Sequence, residues 1–281
     1  IVQGKLSLSE KDAGPLYRTA LLAEGQRLLP FGLNIGASAK LNIKDNLERI
    51  RKFRLLAVDP IRSDEDEYTE QRFYIERLYT SWLRSLTGSM HLGLTAGYLD
   101  EGFAGYGGEI LYRPFGKTFS IGAEGWNVYK RQATSRLGKE FQKDNRWTAH
   151  LNLNYEVPGL SFTEDMTAYL KLGRYLAEDY GGTLGLKTRF DNGSALEGYL
   201  TLTNKFDANI FGGLTHIFGG VKFSVPLGNI PYIPDGSEIG LVTEPFGRDA
   251  GRMIDVPLPL YEVTEPFSSR QLGRSWKHLL N

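Results

Sequence analysis

Residues of one parity are apolar and those of the other polar, in run after run along this chain. Met90, Leu92, Leu94, Ala96 and Tyr98 oppose His91, Gly93, Thr95 and Gly97. Trp147, Ala149, Leu151, Leu153 and Tyr155 oppose Thr148, His150, Asn152, Asn154 and Glu156. Similar runs cover 31–42, 166–173, 183–190, 196–203 and 221–227. A period of two places successive side chains on opposite faces of a strand. The runs predict about twelve strands, starting near residues 4, 16, 31, 73, 89, 106, 118, 146, 165, 182, 195 and 218, with a further candidate at 254–263. Short spacing between 89 and 204 predicts consecutive antiparallel neighbours. Asp191-Asn192-Gly193 is a hairpin signal, and Pro158-Gly159, Gly181-Gly182, Asp144-Asn145 and Gly116-Lys117 read as further boundaries.

Helical signals are few. Residues 43–53 read as a short amphipathic helix capped by Asp45 or Asn46. Residues 56–72, with the acidic run 64–67, read as a charged, solvated loop. The sequence shows no fixed repeat and no low-complexity linker. The expected organisation is one barrel over 1–267, including the charged segment 43–72, then a tail over 268–281 with helical character.

Three features favour a membrane barrel over a soluble sandwich. The runs approach the about 9–11 residues of a tilted spanning strand. The second face is strongly polar, with His150, Asn152, Lys171, Lys187, Arg189 and Glu197. Tyr98, Phe103, Phe115, Phe119, Tyr129, Trp147, Tyr155, Phe190 and Phe206 cluster near run ends, where interfacial girdles belong. The expected fold class is therefore all-β, a transmembrane antiparallel up-and-down β-barrel of about twelve strands. Composition fits: glycine is 33 of 281 residues, about 12%, against roughly 7% on average.

Charge and cysteine content narrow the function. Lys and Arg total 33 against 33 Asp and Glu, which argues against a general nucleic-acid binder. With no cysteine, disulfides, thiolate metal sites and a Cys nucleophile are excluded within this chain. His91, His150, His216 and His278 have no metal-binding spacing, and His91 and His150 read as solvated lumenal residues. No phosphate-binding loop or nucleophile elbow is present. The Gly-rich segment 105–108 leads into a strand, so it reads as a tight turn or a close backbone approach. No cofactor or metal is expected.

Glu101, Glu109 and Glu124 lie in adjoining segments and would share a lumen. Nearby Arg113, Lys130 and Arg131 favour ion-paired filling over catalysis. Glu109 and Arg113 share one strand face but stand about 13 Å apart by the strand rise, so each needs a partner on a neighbouring strand.

The stretch 97–114 reads Gly-Tyr-Leu-Asp-Glu-Gly-Phe-Ala-Gly-Tyr-Gly-Gly-Glu-Ile-Leu-Tyr-Arg-Pro. It resembles the YjbH family of outer-membrane proteins associated with exopolysaccharide and capsule gene clusters. Residues 60–64, 173–177, 189–193, 248–251 and 259–261 carry shorter matches in the same order. Gly102 stands where the family pattern has a large apolar residue. Family members are usually longer, so the chain is similar to a C-terminal barrel portion or a split relative.

The resemblance implies a non-enzymatic component of an exopolysaccharide or capsule secretion system in the bacterial outer membrane. It would form or support a polysaccharide passage, with exopolysaccharide, outer-membrane lipid and other secretion-system proteins as partners and no nucleic acid. Any lipid anchor would lie outside this chain or on a partner. Inward polar and aromatic groups that would meet glycan are Glu101, Glu109, Arg113, Glu124, Trp126, Tyr169, Lys187, Arg189 and Tyr199. The alternatives are a barrel hydrolase using lumenal carboxylates on glycan or lipid, and a soluble sugar-binding β-sandwich. The tail 268–281 and the loop 56–72 are the expected docking surfaces.

Overall fold

The computed structural model describes residues 1–133, 141–157, 165–190, 192–228, 230–234 and 236–270. Thirteen strands close into a barrel. They are β1 (Val2–Glu10), β2 (Gly14–Leu28), β3 (Leu33–Asp45), β4 (Phe73–Ser85), β5 (Met90–Tyr98), β6 (Phe103–Tyr112) and β7 (Phe119–Arg131), followed by β8 (Phe141–Val157), β9 (Asp165–Arg174), β10 (Tyr180–Arg189), β11 (Ala195–Ala208), β12 (Leu214–Pro226) and β13 (Glu238–Thr243). Each strand pairs antiparallel with its sequence neighbour.

The odd strand number has a topological consequence. β1 and β13 run the same way, so the barrel closes through a parallel pair, with Val2 opposite Ile239 and Leu6 opposite Thr243. The expected all-antiparallel sheet is corrected at this seam. The strand expected at 254–263 does not form; β13 lies earlier, and 254–263 runs inside the barrel. Asp144-Asn145 lies within β8, and Gly181-Gly182 opens β10, so neither is a turn. Pro158-Gly159 and Asp191 lie outside the described residues.

The alternation becomes two surfaces. Leu151, Leu172, Leu184, Leu186, Leu200 and Leu202 are exposed on the outer face. Asn34, Ser38, Lys40, Asn42, Thr148, His150 and Thr183 are buried on the inner face. His150 is therefore packed, edge-on to Tyr175, instead of solvated.

Glycine and aromatic residues are coupled across the inner wall. Tyr79 is the register partner of Gly36, Trp126 of Gly107, Tyr169 of Gly185 and Tyr199 of Gly220. In each pair the ring lies where a Cβ on the glycine would be, at 2.3 Å for Tyr79 and Tyr169 and 2.4 Å for Trp126. A missing side chain on one strand makes the bed for a large one on the next. Phe103, expected in a girdle, is fully buried, with Ile61, Leu99, Val128 and Leu176, under the segment described next.

Two segments fill part of the lumen. At one mouth, residues 46–72 fold inward as a cap. A 3-10 turn at Leu47–Lys52 buries Leu47 and Ile50, and helix α1 spans Glu65–Thr69. The stretch 56–72 is thus no solvated loop. Asp64 is buried and bonds Lys130 of β7 at 2.9 Å, and Glu65 bonds Lys5 of β1 at 2.6 Å. Gly102 lies against this cap, where a Cβ would stand 3.2 Å from Arg62 Nη1.

The second segment, 244–270, leaves β13 at the capped mouth and threads back through the barrel to the opposite mouth. It includes α2 (Leu260–Thr264) and a 3-10 turn at Glu265–Phe267. Pro257 and Pro259 lack backbone donors, so this strap is poorly suited to a strand ladder. The expected tail begins at its end; residues 271–281 lie outside the described residues.

Candidate functional site

The strap is anchored at the capped mouth. Asp249 Oδ1 accepts the backbone N–H groups of Ile61 at 3.1 Å, Arg62 at 2.7 Å and Ser63 at 2.8 Å. Its Oδ2 accepts from Arg54, which also pairs with Asp207 of β11. Asp207 in turn accepts the N–H groups of Asp249 and Ala250. One carboxylate thus ties the strap to the cap, and another ties both to the wall. Leu176 N–H donates to Arg252 O at 2.9 Å, and Gly251 N–H to Asp179 at 2.8 Å.

Beyond this anchor three of the strap's own carboxylates face cations of the wall. Arg77 of β4 bonds Asp255 at 2.6 Å. Lys187 of β10 bonds Glu262 at 2.8 Å, and Arg189 approaches Glu265 at 3.6 Å. The order along the strap matches progress from the capped mouth towards the opposite one, where β10 ends. There Arg270 reaches Met166 O at 3.2 Å and Glu156 at 3.3 Å.

All nine residues expected on the inward face point to the interior, but they divide into separate groups. Glu101 lies in the β5–β6 turn and pairs with Arg18 at 2.6 Å, approaches Lys40 at 3.6 Å and accepts from Tyr74. Burial would raise its pKa, yet Arg18, Lys40 and Tyr74 hold it well below the usual carboxylate range. Glu109 and Glu124 are register partners on β6 and β7, so these two come together and Glu101 does not join them. Glu109 accepts the N–H of Leu260 from the strap at 2.7 Å. Glu124 stands 3.4 Å from His150 Nδ1 and 3.8 Å from Lys171, and accepts from Trp126 Nε1 at 3.4 Å. Arg113 bonds Glu156 at 2.8 Å and Tyr261 O at 3.1 Å, with its guanidinium 4.5 Å from the Tyr261 ring centre. Glu109 and Arg113 thus find separate partners, but not on neighbouring strands as expected: Glu109 is met by the strap, and Arg113 by the strap and by β8, two strands away. Tyr169 donates to Glu197 at 2.7 Å, and Tyr199 donates to Glu244 of the strap.

Sequence reasoning missed the strap's own members. Glu244, Asp249, Asp255, Glu262 and Glu265 are five carboxylates against two arginines, Arg248 and Arg252, over 244–265. Their signal was that acidic excess beside a Pro-x-Pro stretch. Glu244 is held by Arg252 at 2.8 Å and Lys5 at 3.1 Å. Burial would raise its pKa, but Arg252, Lys5 and Tyr199 together depress it. Arg252 is spent on Glu244 and the carbonyls of Pro245 and Arg248, and Arg248 on Glu10, so both basic side chains serve the anchored half.

The strap leaves space beside it. Asp255 and Glu262 are 77% and 55% exposed although they lie within the barrel, and lumenal Lys222 is 51% exposed. At the opposite mouth a cavity of about 360 Å³ separates the strap, at Leu260 and Phe267, from the turn after β6. Among the described residues no group of three His, Asp or Glu side chains has a metal-binding arrangement.

The chain is similar in sequence to known proteins. The chain is 31% identical over 207 residues to a protein of Escherichia coli (strain K12) described as "Uncharacterized lipoprotein YjbH". The match covers 73% of this chain and 29% of that relative, so it spans less than a third of the relative's length. The YjbH family model, described as "Exopolysaccharide biosynthesis protein YbjH", matches residues 5–266. That span runs from β1 through the strap to within a few residues of its end, and on it the chain belongs to the YjbH family.

Proposed function

We propose that this chain is a non-enzymatic outer-membrane barrel module that supports the passage of an exopolysaccharide. One observation carries the reading: a closed barrel with an apolar outer wall has a polar lumen threaded from mouth to mouth by one segment of its own chain. A lumen that accommodates a polypeptide strap along its length has the room a glycan chain would need. Polar wall groups and rings such as Tyr169 and Tyr199 suit hydroxyl and CH faces of sugars. The apolar outer face suits lipid, and the lipoprotein description of the relative fits an envelope location.

The test is reconstitution. Purified barrel should require detergent, show heat-modifiable gel mobility and conduct ions in a planar bilayer, with conductance interrupted by added oligosaccharide. A monodisperse protein without detergent would overturn the membrane reading. A silent bilayer, with the strap both intact and loosened, would overturn the passage.

The Glu109–Glu124 pair favours a second reading, a lumenal hydrolase. Two adjacent carboxylates beside His150 are suited to acid–base work, although Glu109 gives an oxygen to the Leu260 amide. Glycan or lipid hydrolysis by the reconstituted barrel, abolished by Glu109→Gln or Glu124→Gln with folding intact, would establish it.

A further inference from the structure

The strap divides into two electrostatically different halves. In its anchored half both arginines are neutralised, Arg252 by Glu244 of the strap and Arg248 by Glu10 of β1, around the buried Asp249 network. Its distal half has only acidic charge over 253–265: Asp255, Glu262 and Glu265. Each meets a cation of the barrel wall, Arg77, Lys187 and Arg189 respectively. These contacts lie beside open lumen, because Asp255 and Glu262 are more than half exposed. Exposed ion pairs are individually weak and exchange readily with other anions.

We propose that the distal strap is an internal stand-in for the cargo, and that the cargo is an acidic polysaccharide of the polyuronate class. This rests on the passage reading above. A glycan carboxylate that replaces Glu262 or Glu265 restores the same ion pair to Lys187 or Arg189, so displacing the strap leaves no lumenal cation unpaired. A neutral glycan has no such exchange to offer and would strand those cations.

The mouth where the strap emerges carries an independent sign of the same chemistry. The cavity of about 360 Å³ there is lined by Arg84, Arg113 and Lys117 and by no carboxylate. Arg84 and Lys117 have no carboxylate partner among the described residues, whereas Arg113 is paired with Glu156. Phe115, Pro114 and Phe267 line the same space and offer apolar faces to a pyranose ring. Anions arriving at this mouth meet positive charge before they reach Arg189 and Lys187.

The test compares oligogalacturonate with a malto-oligosaccharide of equal length, titrated calorimetrically into the barrel in detergent micelles at low salt. Oligogalacturonate should bind and malto-oligosaccharide should bind far more weakly. The E262Q/E265Q variant, which removes the competing carboxylates, should bind oligogalacturonate roughly three- to tenfold more tightly, the size expected for two exposed ion pairs. Adding K187Q/R189Q to that variant should cancel the gain. Heat-modifiable mobility checks that each variant is folded. In bilayers, E262Q/E265Q should shift ion selectivity towards anions, a readout that needs no glycan. Equal binding of the two sugars overturns the acidic class and leaves the passage reading standing. Binding of neither sugar overturns both. Tighter malto-oligosaccharide binding, or an E262Q/E265Q variant with unaltered affinity and selectivity, removes the strap from the role assigned to it.

Discussion

Arg248 and Glu10 stand 2.7 Å apart, at opposite ends of the chain, and their side chains are 1% and 0% exposed. Arg248 also donates to Phe246 O at 2.6 Å and lies over the Phe53 ring at 5.1 Å. The first strand, the cap and the strap therefore meet at one buried ion pair. Desolvation makes such a pair a weak net stabiliser, but removing one partner strands a buried charge. Arg248→Ala or Glu10→Ala is expected to cost about 3–5 kcal/mol. An apolar double replacement, Glu10→Leu with Arg248→Met, should recover most of that loss. Urea unfolding in detergent measures all three.

Asp249→Ala should loosen cap and strap together. It leaves the N–H groups of Ile61, Arg62 and Ser63 without their acceptor, at about 1–3 kcal/mol for each that stays buried. Asp249→Asn keeps an acceptor oxygen for these amides but replaces the acceptor of Arg54 with an N–H donor, so it should spare the cap contacts and break the Arg54 pair. Limited proteolysis should cut the Ala variant within the cap and strap while the strands resist.

Acid should weaken the capped mouth. The pKa values of Glu101 and Glu244 are depressed in the folded barrel: burial opposes this, but Arg18 and Lys40 in one case, and Arg252 and Lys5 in the other, prevail. A folded value below the unfolded one gives stability that is fully present above the ordinary carboxylate range, near 4.3. It is lost as the pH falls below that range towards the folded values. The contribution of these two carboxylates to thermal stability should be constant from neutrality to about pH 5 and fall below it. Glu101→Gln should lower stability at neutral pH and shallow the acid limb.

Gly97 should tolerate no side chain. Its φ is 132°, and a Cβ would stand 2.2 Å from Leu78 O on the neighbouring strand. Strain of that kind costs on the order of 1–3 kcal/mol, so Gly97→Ala should lower the melting temperature and reduce the folded fraction on semi-native gels.

The outer face offers a direct test of lipid contact. Leu184 is 60% exposed on β10. In a membrane barrel, Leu184→Arg should cost about 2–4 kcal/mol if it sits near the bilayer midplane. The same change on a solvated surface should be nearly neutral. Folding yield into lipid vesicles against urea distinguishes the two outcomes.

The period-two pattern by itself determined the walls of this protein. Leu184, Leu186, Leu200 and Leu202 face out and Thr183, Lys187 and Tyr199 face in, because strand geometry sends neighbouring side chains to opposite sides. Side-chain parity also accounts for the strand residues among the nine candidates, such as Glu109, Lys187 and Tyr199, but not for Glu101, which lies in a turn between β5 and β6. What parity does not contain is what lies inside the wall. The run 64–67 looked solvated because four acidic residues in sequence say nothing of Lys130 and Lys5, which reach them from strands far along the chain. Residues 254–263 looked like a strand because apolar spacing does not reveal that closure occurs earlier, through a parallel β1–β13 pair. The thirteenth strand ends at the capped mouth, and long-range contacts turn the following segment back through the lumen. There its carboxylates find the cations of β4 and β10, long-range pairings fixed by barrel closure and not by any local preference of the chain.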